Sequence, residues 1–265
     1  MRLTAAEIEG YRRDGFLVRH GQLGDTELAE LRVTVEEVIA GVAEHARRPD
    51  AGPEMRMPDG HRLQFSSQTV IQWEWRDGSQ EVRLIEPFTH LHPRFTELWD
   101  EPKLRLPFLD MLGVDAVDPY TCKLNLKRLR EGSEFPWHQD YTYWYAFTPE
   151  HAHEIATAIL FLDDASGENG AIRVLPRSHQ RGPAPRHLDE PSGFLADPAR
   201  IDAAAERLVE AEAGSILFFP SLLLHRSTPN TSDRQRRAIL LSFQPAGRPR
   251  QIELEWHPER VVDLP

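Results

Sequence analysis

A histidine and an aspartate stand two residues apart in "EFPWHQDYTYW" (134–144), as His138 and Asp140. On an extended segment residues i and i+2 point to the same side, so imidazole and carboxylate can converge on one cation. A third donor must come from elsewhere, and His225 in "LLLHRS" follows an apolar run. Two histidines and one carboxylate on one face of a metal are the donor set of non-haem Fe(II) oxygenases, which leaves three positions for co-substrate and dioxygen. Neither part decides the matter alone. His-x-Asp pairs occur by chance, and a histidine after a strand serves packing as readily as ligation.

The residues after His225 add a second constellation. Ser227 follows two positions on, and Arg236 opens the next apolar run, "RAILLSF" coming directly after it. A guanidinium pairs bidentately with a carboxylate and a serine hydroxyl adds a further hydrogen bond. Together they suit the far carboxylate of a dicarboxylate whose other end chelates the metal. The plainer reading of Arg236 is solvation, since Arg234 and Arg237 are beside it.

These residues need a scaffold that brings residues 138–140 and 225–236 together. From residue 120 short apolar runs alternate with turn signals such as "SGENG" and "EAGS", a pattern of many short strands that predicts a sandwich or jelly roll over 120–245. The first 45 residues read as two helices. Thr4 and Glu7 form a capping box, and Asp25 caps the second, whose face carries Leu28, Leu31, Val35, Val38, Ile39 and Val42. Residues 47–62 are rich in Pro, Gly and charge and read as a loop, a candidate lid. "TVIQWEW" (69–75) alternates as a strand, and 81–112 reads as mostly helical, broken by prolines. The expectation is one domain over 1–265, mainly β, with a mostly helical part (1–112) packed outside a β core.

The chain is 265 residues long, with 40% hydrophobic and 28% charged residues, an ordinary globular composition. Its formal net charge of -11 gives no basic footprint for nucleic acid. The single cysteine, Cys122, excludes an intrachain disulfide and a cysteine-rich zinc site. No apolar run approaches the ~20 residues of a membrane span, and the N-terminus lacks the apolar stretch of a signal peptide. A cytoplasmic protein acting on a small molecule, with no nucleic-acid or membrane partner, is the expectation.

The chain resembles the phytanoyl-CoA dioxygenase family of Fe(II)/2-oxoglutarate oxygenases. The resemblance rests on "LTAAEIEGYRRDGFLV", "KRLREGSEFPWHQD", "GENGAIRVLPRSH" and "GSILFFPSLLLHRSTPNTSDRQRRAI", in that order and over essentially the whole chain. It implies a double-stranded β-helix, or jelly roll, using Fe(II), 2-oxoglutarate and O2. It implies iron ligation by His138, Asp140 and His225, and a distal carboxylate site at Arg236 and Ser227. Asn125, Gln139 and Trp144 match positions beside the co-substrate in relatives. Where many members carry a Lys-Pro turn, this chain reads "KRLREG", which leaves the role of Lys127 open. The implied activity is hydroxylation of an unactivated C–H bond, with succinate and CO2 as co-products. Halogenating members carry a small residue where Asp140 stands, so the carboxylate favours hydroxylation. Desaturation, cyclisation or epimerisation stays open, as does a cupin-like metal isomerase that needs no Arg236.

The substrate is less legible. Alternation along an extended 138–145 sends Trp144 to the side of His138 and Asp140, and Tyr141, Tyr143 and Tyr145, with Gln139, to the other. Trp73 and Trp75 are expected at the same mouth. Aromatic faces suit an apolar or cationic group, and Lys123, Arg128 and Arg130 are candidates for a substrate carboxylate or phosphonate. A free amino acid or a natural-product intermediate fits best. His151 and His153 read as surface histidines, and Cys122 as a small strand residue.

Overall fold

Thr4 opens the first helix as its spacing predicts. Its hydroxyl accepts from the Glu7 amide, while the Glu7 carboxylate accepts from the Thr4 amide at 2.8 Å, so two unpaired N–H groups satisfy each other's side chains. This helix, α1 (Ala5–Asp14), ends at Gly15, where φ is 85°, a conformation glycine adopts without strain. β1 (Leu17–Arg19) and α2 (Asp25–Ala46) follow. Gly24 takes the capping position of α2, and Asp25 sits one residue later, in the first turn, where its charge suits the helix dipole. Leu28, Leu31, Val35, Val38 and Ile39 are buried along one face, each contributing about 2 kcal/mol by burial.

The computed structural model describes residues 1–56, 60–66, 68–74, 79–189, 192–257 and 259–262. The segment 54–86 departs from the sequence expectation. β4 (Thr69–Trp73) is the predicted strand, but β2 (Glu54–Arg56) and β5 (Val82–Glu86) stand where loop and helix were expected, and β3 (Arg62–Ser66) fills a stretch that, past its first residue, carried no expectation. Val82, Arg83, Leu84 and Ile85 are all buried, and such a run has no period that separates strand from helix. Within the expected lid, 47–62, residues 57–59 lie outside the described residues. Helix resumes with α3 (Pro93–Glu97) and α4 (Pro102–Leu112), each with proline in its first turn, where a missing N–H costs nothing.

The apolar runs from 117 onward form the β core. Its elements are β6 (Val117–Lys127), β7 (Phe135–His138), α5 (Asp140–Tyr145), β8 (Ala156–Phe161), β9 (Ile172–Val174), β10 (Arg207–Val209), β11 (Ile216–Pro220), β12 (His225–Ser227) and β13 (Arg236–Pro245). They build a nine-stranded sheet in the order β1-β11-β8-β13-β6-β5-β4-β3-β2 and a four-stranded sheet in the order β10-β9-β12-β7. Ile159, Phe161, Leu217, Phe219 and Ala238 of the large sheet pack with Ile172, Val174 and Val209 of the small one, as two facing sheets must. The other face of the large sheet, with Leu124, Leu126, Leu160, Phe218 and Ile239, packs on Leu31 and Val35 of α2 and Leu104 and Phe108 of α4. This is the expected jelly roll with helices outside, its large sheet extended by strands the sequence hid. Among the described residues no helix is long and apolar enough to cross a membrane.

Lys127 has a structural job here. It is buried, and its Nζ donates to the carbonyls of Ser133 and Thr228, both at 2.6 Å. It thereby ties the loop before β7 to the residue after β12. Burial, reinforced by the Arg236 and Arg83 charges, pulls its pKa down to about 6, against the pull of Glu74 and Glu134. Between that value and the unfolded value near 10.5 the unfolded chain holds the extra proton, so stability should rise with pH across this window. Lys127→Met should cost roughly 2–4 kcal/mol, because two buried carbonyls lose their donor. It should also flatten the rise, so the loss is larger at pH 9 than at pH 6. Urea denaturation at both values measures it.

Candidate functional site

His138 ends β7 and His225 begins β12, and the two residues face each other across the ladder. Their ring centroids are 4.1 Å apart. Gln139 keeps extended backbone (φ -118°, ψ 132°), and α5 starts at Asp140. The strand therefore lasts long enough for Asp140 to return to the side of His138. A backbone bond from Tyr141 N to Ser221 O, 3.0 Å, ties the start of α5 to the approach to β12. One donor atom from each of His138, Asp140 and His225 lies within 4.8 Å of the others, a spacing that could hold one cation.

The two imidazoles are oriented alike. His138 Nδ1 meets the Pro136 carbonyl at 2.7 Å and His225 Nδ1 meets the Leu223 carbonyl at 2.9 Å. A carbonyl can only accept, so each Nδ1 carries the proton and each Nε2 presents a lone pair, the arrangement metal-bound histidines use. Burial, with His225 adjacent, lowers the His138 pKa to about 3. The ring is a neutral donor at any working pH.

Arg236 opens β13 opposite Lys127, and Ala238, two residues on, lies in the packing between the sheets. Alternation thus turns Arg236 into the same interior as the triad. It is 2% exposed and burial drags its pKa down to about 10. Its Nε has no hydrogen-bond partner, and among the described residues it has no ion pair. The Asp163 charge reaches it, but Asp163 is itself paired with Arg237 at 2.7 Å, so the buried guanidinium is only partly offset and a carboxylate of its own would relieve it. Ser227, 4% exposed, lies two residues from His225 on β12 and so shares its face. Asn125 stands opposite Ala238 and also faces inward, its Oδ1 buried and unpartnered.

The remaining expectations divide. Gln139 does not join this group. Its amide donates to the carbonyls of Gly182 and Leu222 at 3.1 and 2.6 Å and accepts from Ala184 N at 2.7 Å. It straps the loop after β9 to the approach to β12. Gln139→Ala leaves three backbone groups without partners and should cost roughly 2–4 kcal/mol, measured by denaturation of the metal-free protein. The alternation expected for 141–145 fails because these residues are helical. Trp144 instead packs edge-on to Tyr120, centroids 5.4 Å apart, in a cluster with Tyr141, Ala152 and Ile155, and its Nε1 is buried and unpartnered. Tyr143 is the ring that turns toward Lys123, whose Nζ lies 4.9 Å from its centroid.

Trp73 faces away from this interior. It packs with the outer cluster and donates to Gln64 Oε1 at 3.2 Å; Trp75 lies outside the described residues. Arg128 is spent on Glu36 and Gln235, and Arg130 pairs with Asp233 at the surface. His151, expected at the surface, is only 31% exposed and pairs with Glu154 at 3.1 Å. Cys122 is a buried strand residue, its sulfur accepting from Phe88 N at 3.4 Å.

Two contributors were missed. Glu86, at the end of β5, lies beside the triad with its side chain 12% exposed. Its carboxylate accepts from Thr121 Oγ1 at 3.0 Å and lies 3.6 Å from Lys123 Nζ. Burial raises its pKa, and the Asp140 charge raises it further. Read as helix, "VRLIE" gave no reason to turn Glu86 toward β6. The second is the loop before β10, where Leu195 bridges to His138 and Ala196 N bonds to Trp137 O at 2.9 Å. Phe194 meets Tyr143 edge-on, with ring centroids 5.4 Å apart. No local pattern marks an irregular loop as the neighbour of a strand edge.

Comparison with known proteins gives the family and the fold. The family model "Phytanoyl-CoA dioxygenase (PhyH)" matches residues 11–238. The ectoine dioxygenase of Bordetella parapertussis is 26% identical, over 98% of this chain and 82% of its own. The L-proline trans-4-hydroxylase of Streptomyces griseoviridis is 27% identical, over 88% of this chain and 83% of its own. The crystal structure of EctD from S. alaskensis with 2-oxoglutarate and 5-hydroxyectoine superposes with a TM-score of 0.70 at 18% identity, covering 92% of this chain and 76% of its own. With a family match over most of its length and the same architecture, the chain belongs to the phytanoyl-CoA dioxygenase family of iron- and 2-oxoglutarate-dependent oxygenases.

Proposed function

We propose that this chain, as a single oxygenase domain, hydroxylates an unactivated C–H bond of a small metabolite using Fe(II), 2-oxoglutarate and O2. The overall change is R–H + 2-oxoglutarate + O2 → R–OH + succinate + CO2. The observation that carries the reading is the buried, unpaired Arg236 on the interior face that also holds the His138–Asp140–His225 donor set. A metal triad alone would suit many reactions. A triad with an anion-seeking guanidinium at its back suits a dicarboxylate co-substrate. The relatives named for ectoine and L-proline act on compact polar molecules, which supports the substrate class.

Bound iron with 2-oxoglutarate supplies the oxidising power, drawn from O2 and decarboxylation. The protein supplies placement. His138 and His225 present Nε2 because the Pro136 and Leu223 carbonyls fix their tautomer. Asp140 supplies the anionic donor. Arg236 and Ser227 hold the far carboxylate of 2-oxoglutarate, and Asn125 faces it with an unused amide oxygen. The packed interior between the sheets keeps bulk water out.

Anaerobic loading with Fe(II), followed by 2-oxoglutarate, ascorbate, air and a panel of polar metabolites, tests the reading. The expected result is substrate-stimulated succinate and a product heavier by one oxygen, about 16 Da. Succinate formation that survives Arg236→Ala or His225→Ala would end it.

A further inference from the structure

Two lysines on β6 face the interior, and the structure treats them differently. Lys127 is closed off, with carbonyls at 2.6 Å on two sides. Lys123, four residues earlier on the same face, makes one long ion pair, to Glu86, and no shorter polar contact among the described residues. Its contacts are the Glu86 carboxylate at 3.6 Å and the Tyr143 ring at 4.9 Å. An ammonium has three protons to place, and the ion pair with Glu86 engages one side of it, which leaves the rest of a partly exposed head (19%) for a ligand.

The position of Lys123 follows from the sheet. Leu84 and Ile85 of β5 pair with Asn125 and Leu124 of β6, and the next step of that register sets Glu86 opposite Lys123. Glu86 Oε1 is taken by Thr121, which leaves Oε2 toward the lysine. The pair sits beside the metal donors. The Lys123 charge reaches His138, and the Asp140 charge reaches Glu86. Tyr143, on α5 just after Asp140, forms the wall above, with Phe194 of the loop behind it.

We propose that Lys123 is the subsite for a carboxylate of the primary substrate, with Glu86 as the positioning residue that holds its ammonium toward the metal donors. The inference rests on the oxygenase reading and refines it. Arg236 anchors the co-substrate from β13 and Lys123 anchors the substrate from the neighbouring β6, so the two anions occupy separate cationic ends of one interior. The substrate is then a compact carboxylic acid whose carbon skeleton lies against Tyr143. Glu86 and Asp140 already add negative charge here, so the site suits one carboxylate better than a polyanion. Arg128 and Arg130, the other cations of this stretch, are directed to Glu36 and Asp233 and take no part.

The test is ligand-induced thermal stabilisation and calorimetry of the full chain with Mn(II) and 2-oxoglutarate. The probes are the twenty proteinogenic L-amino acids and a set of small cyclic and aliphatic monocarboxylic acids, each beside its carboxamide. Wild-type protein should be stabilised by at least one acid and not by the matching amide. Lys123→Met should weaken that acid roughly ten- to a hundredfold, the range of one charge-assisted hydrogen bond, while 2-oxoglutarate affinity stays as in wild type. Glu86→Gln should weaken the same acid less, and should add nothing in the Lys123→Met background. The proposal is overturned if no acid stabilises wild type more than Lys123→Met, if the amides bind equally, or if Lys123→Met weakens 2-oxoglutarate as much as the acid. Failure of the oxygenase reading looks different: 2-oxoglutarate then gives no stabilisation that depends on Arg236.

Discussion

Arg236→Met should lower 2-oxoglutarate affinity by about two to three orders of magnitude and leave the metal-free, ligand-free protein as stable as wild type or more so. The two halves of this result have one cause. In the absence of a ligand the Arg236 guanidinium is buried with an unpaired Nε and no ion pair among the described residues. Burying a charge offset only by Asp163, which is already paired with Arg237, is costly, and the depressed pKa, near 10, is the same cost seen in protonation. Because the folded value lies below the unfolded one, the cost is present at every pH below about 10. Methionine keeps the aliphatic stem and removes the charge, so the cost disappears. The gain that justified it disappears too, because a bidentate pair with a buried carboxylate is worth roughly 3–4 kcal/mol. Arg236→Lys should fall between, since it keeps the charge and loses the fork. Thermal unfolding without ligand and calorimetric titration of 2-oxoglutarate with Mn(II) read the two halves separately. A destabilised Arg236→Met protein that still binds 2-oxoglutarate would mean the arginine serves packing.

Most of the site could be read from the sequence because its parts are close in sequence or open a strand. His138 and Asp140 share a short motif, His225 and Arg236 each open a strand, and Ser227 lies two residues after His225. Such positions carry their meaning in spacing. What the sequence concealed depends on pairing between distant strands. Glu86 becomes a site residue only because β5 lies against β6, and "VRLIE" has no alternation to announce β5. The faces of 141–145 were misjudged for a related reason. Aromatic residues in sequence read as a strand, yet the backbone turns helical at Asp140, which puts Trp144 with Tyr120 and Tyr143 with Lys123. Lys127 and Gln139 show a further limit. Both lie in or beside the motif, and both are spent on backbone groups that no sequence pattern reveals.

Asp140→Ala should weaken Fe(II) binding by a hundredfold or more and abolish 2-oxoglutarate turnover while leaving the metal-free fold nearly unchanged. Loss of a residue that merely orients a metal ligand costs ten- to a hundredfold in affinity, so loss of the one anionic donor must cost at least that. Stability responds to two opposing effects. Asp140 is the acidic residue in the first turn of α5, a placement worth about 0.3–1 kcal/mol. Its charge also presses on the Glu86 carboxylate and raises its pKa, so removing it relieves a like-charge repulsion. The two effects oppose each other. The neighbouring residue should behave in the opposite way, since Gln139→Ala removes the strap and costs stability first. Denaturation of the metal-free proteins and anaerobic Fe(II) titration, run on both variants, separate a donor from a strap. If Asp140→Ala loses as much stability as Gln139→Ala and binds Fe(II) like wild type, the His-x-Asp motif is an element of the fold and the metal reading is wrong.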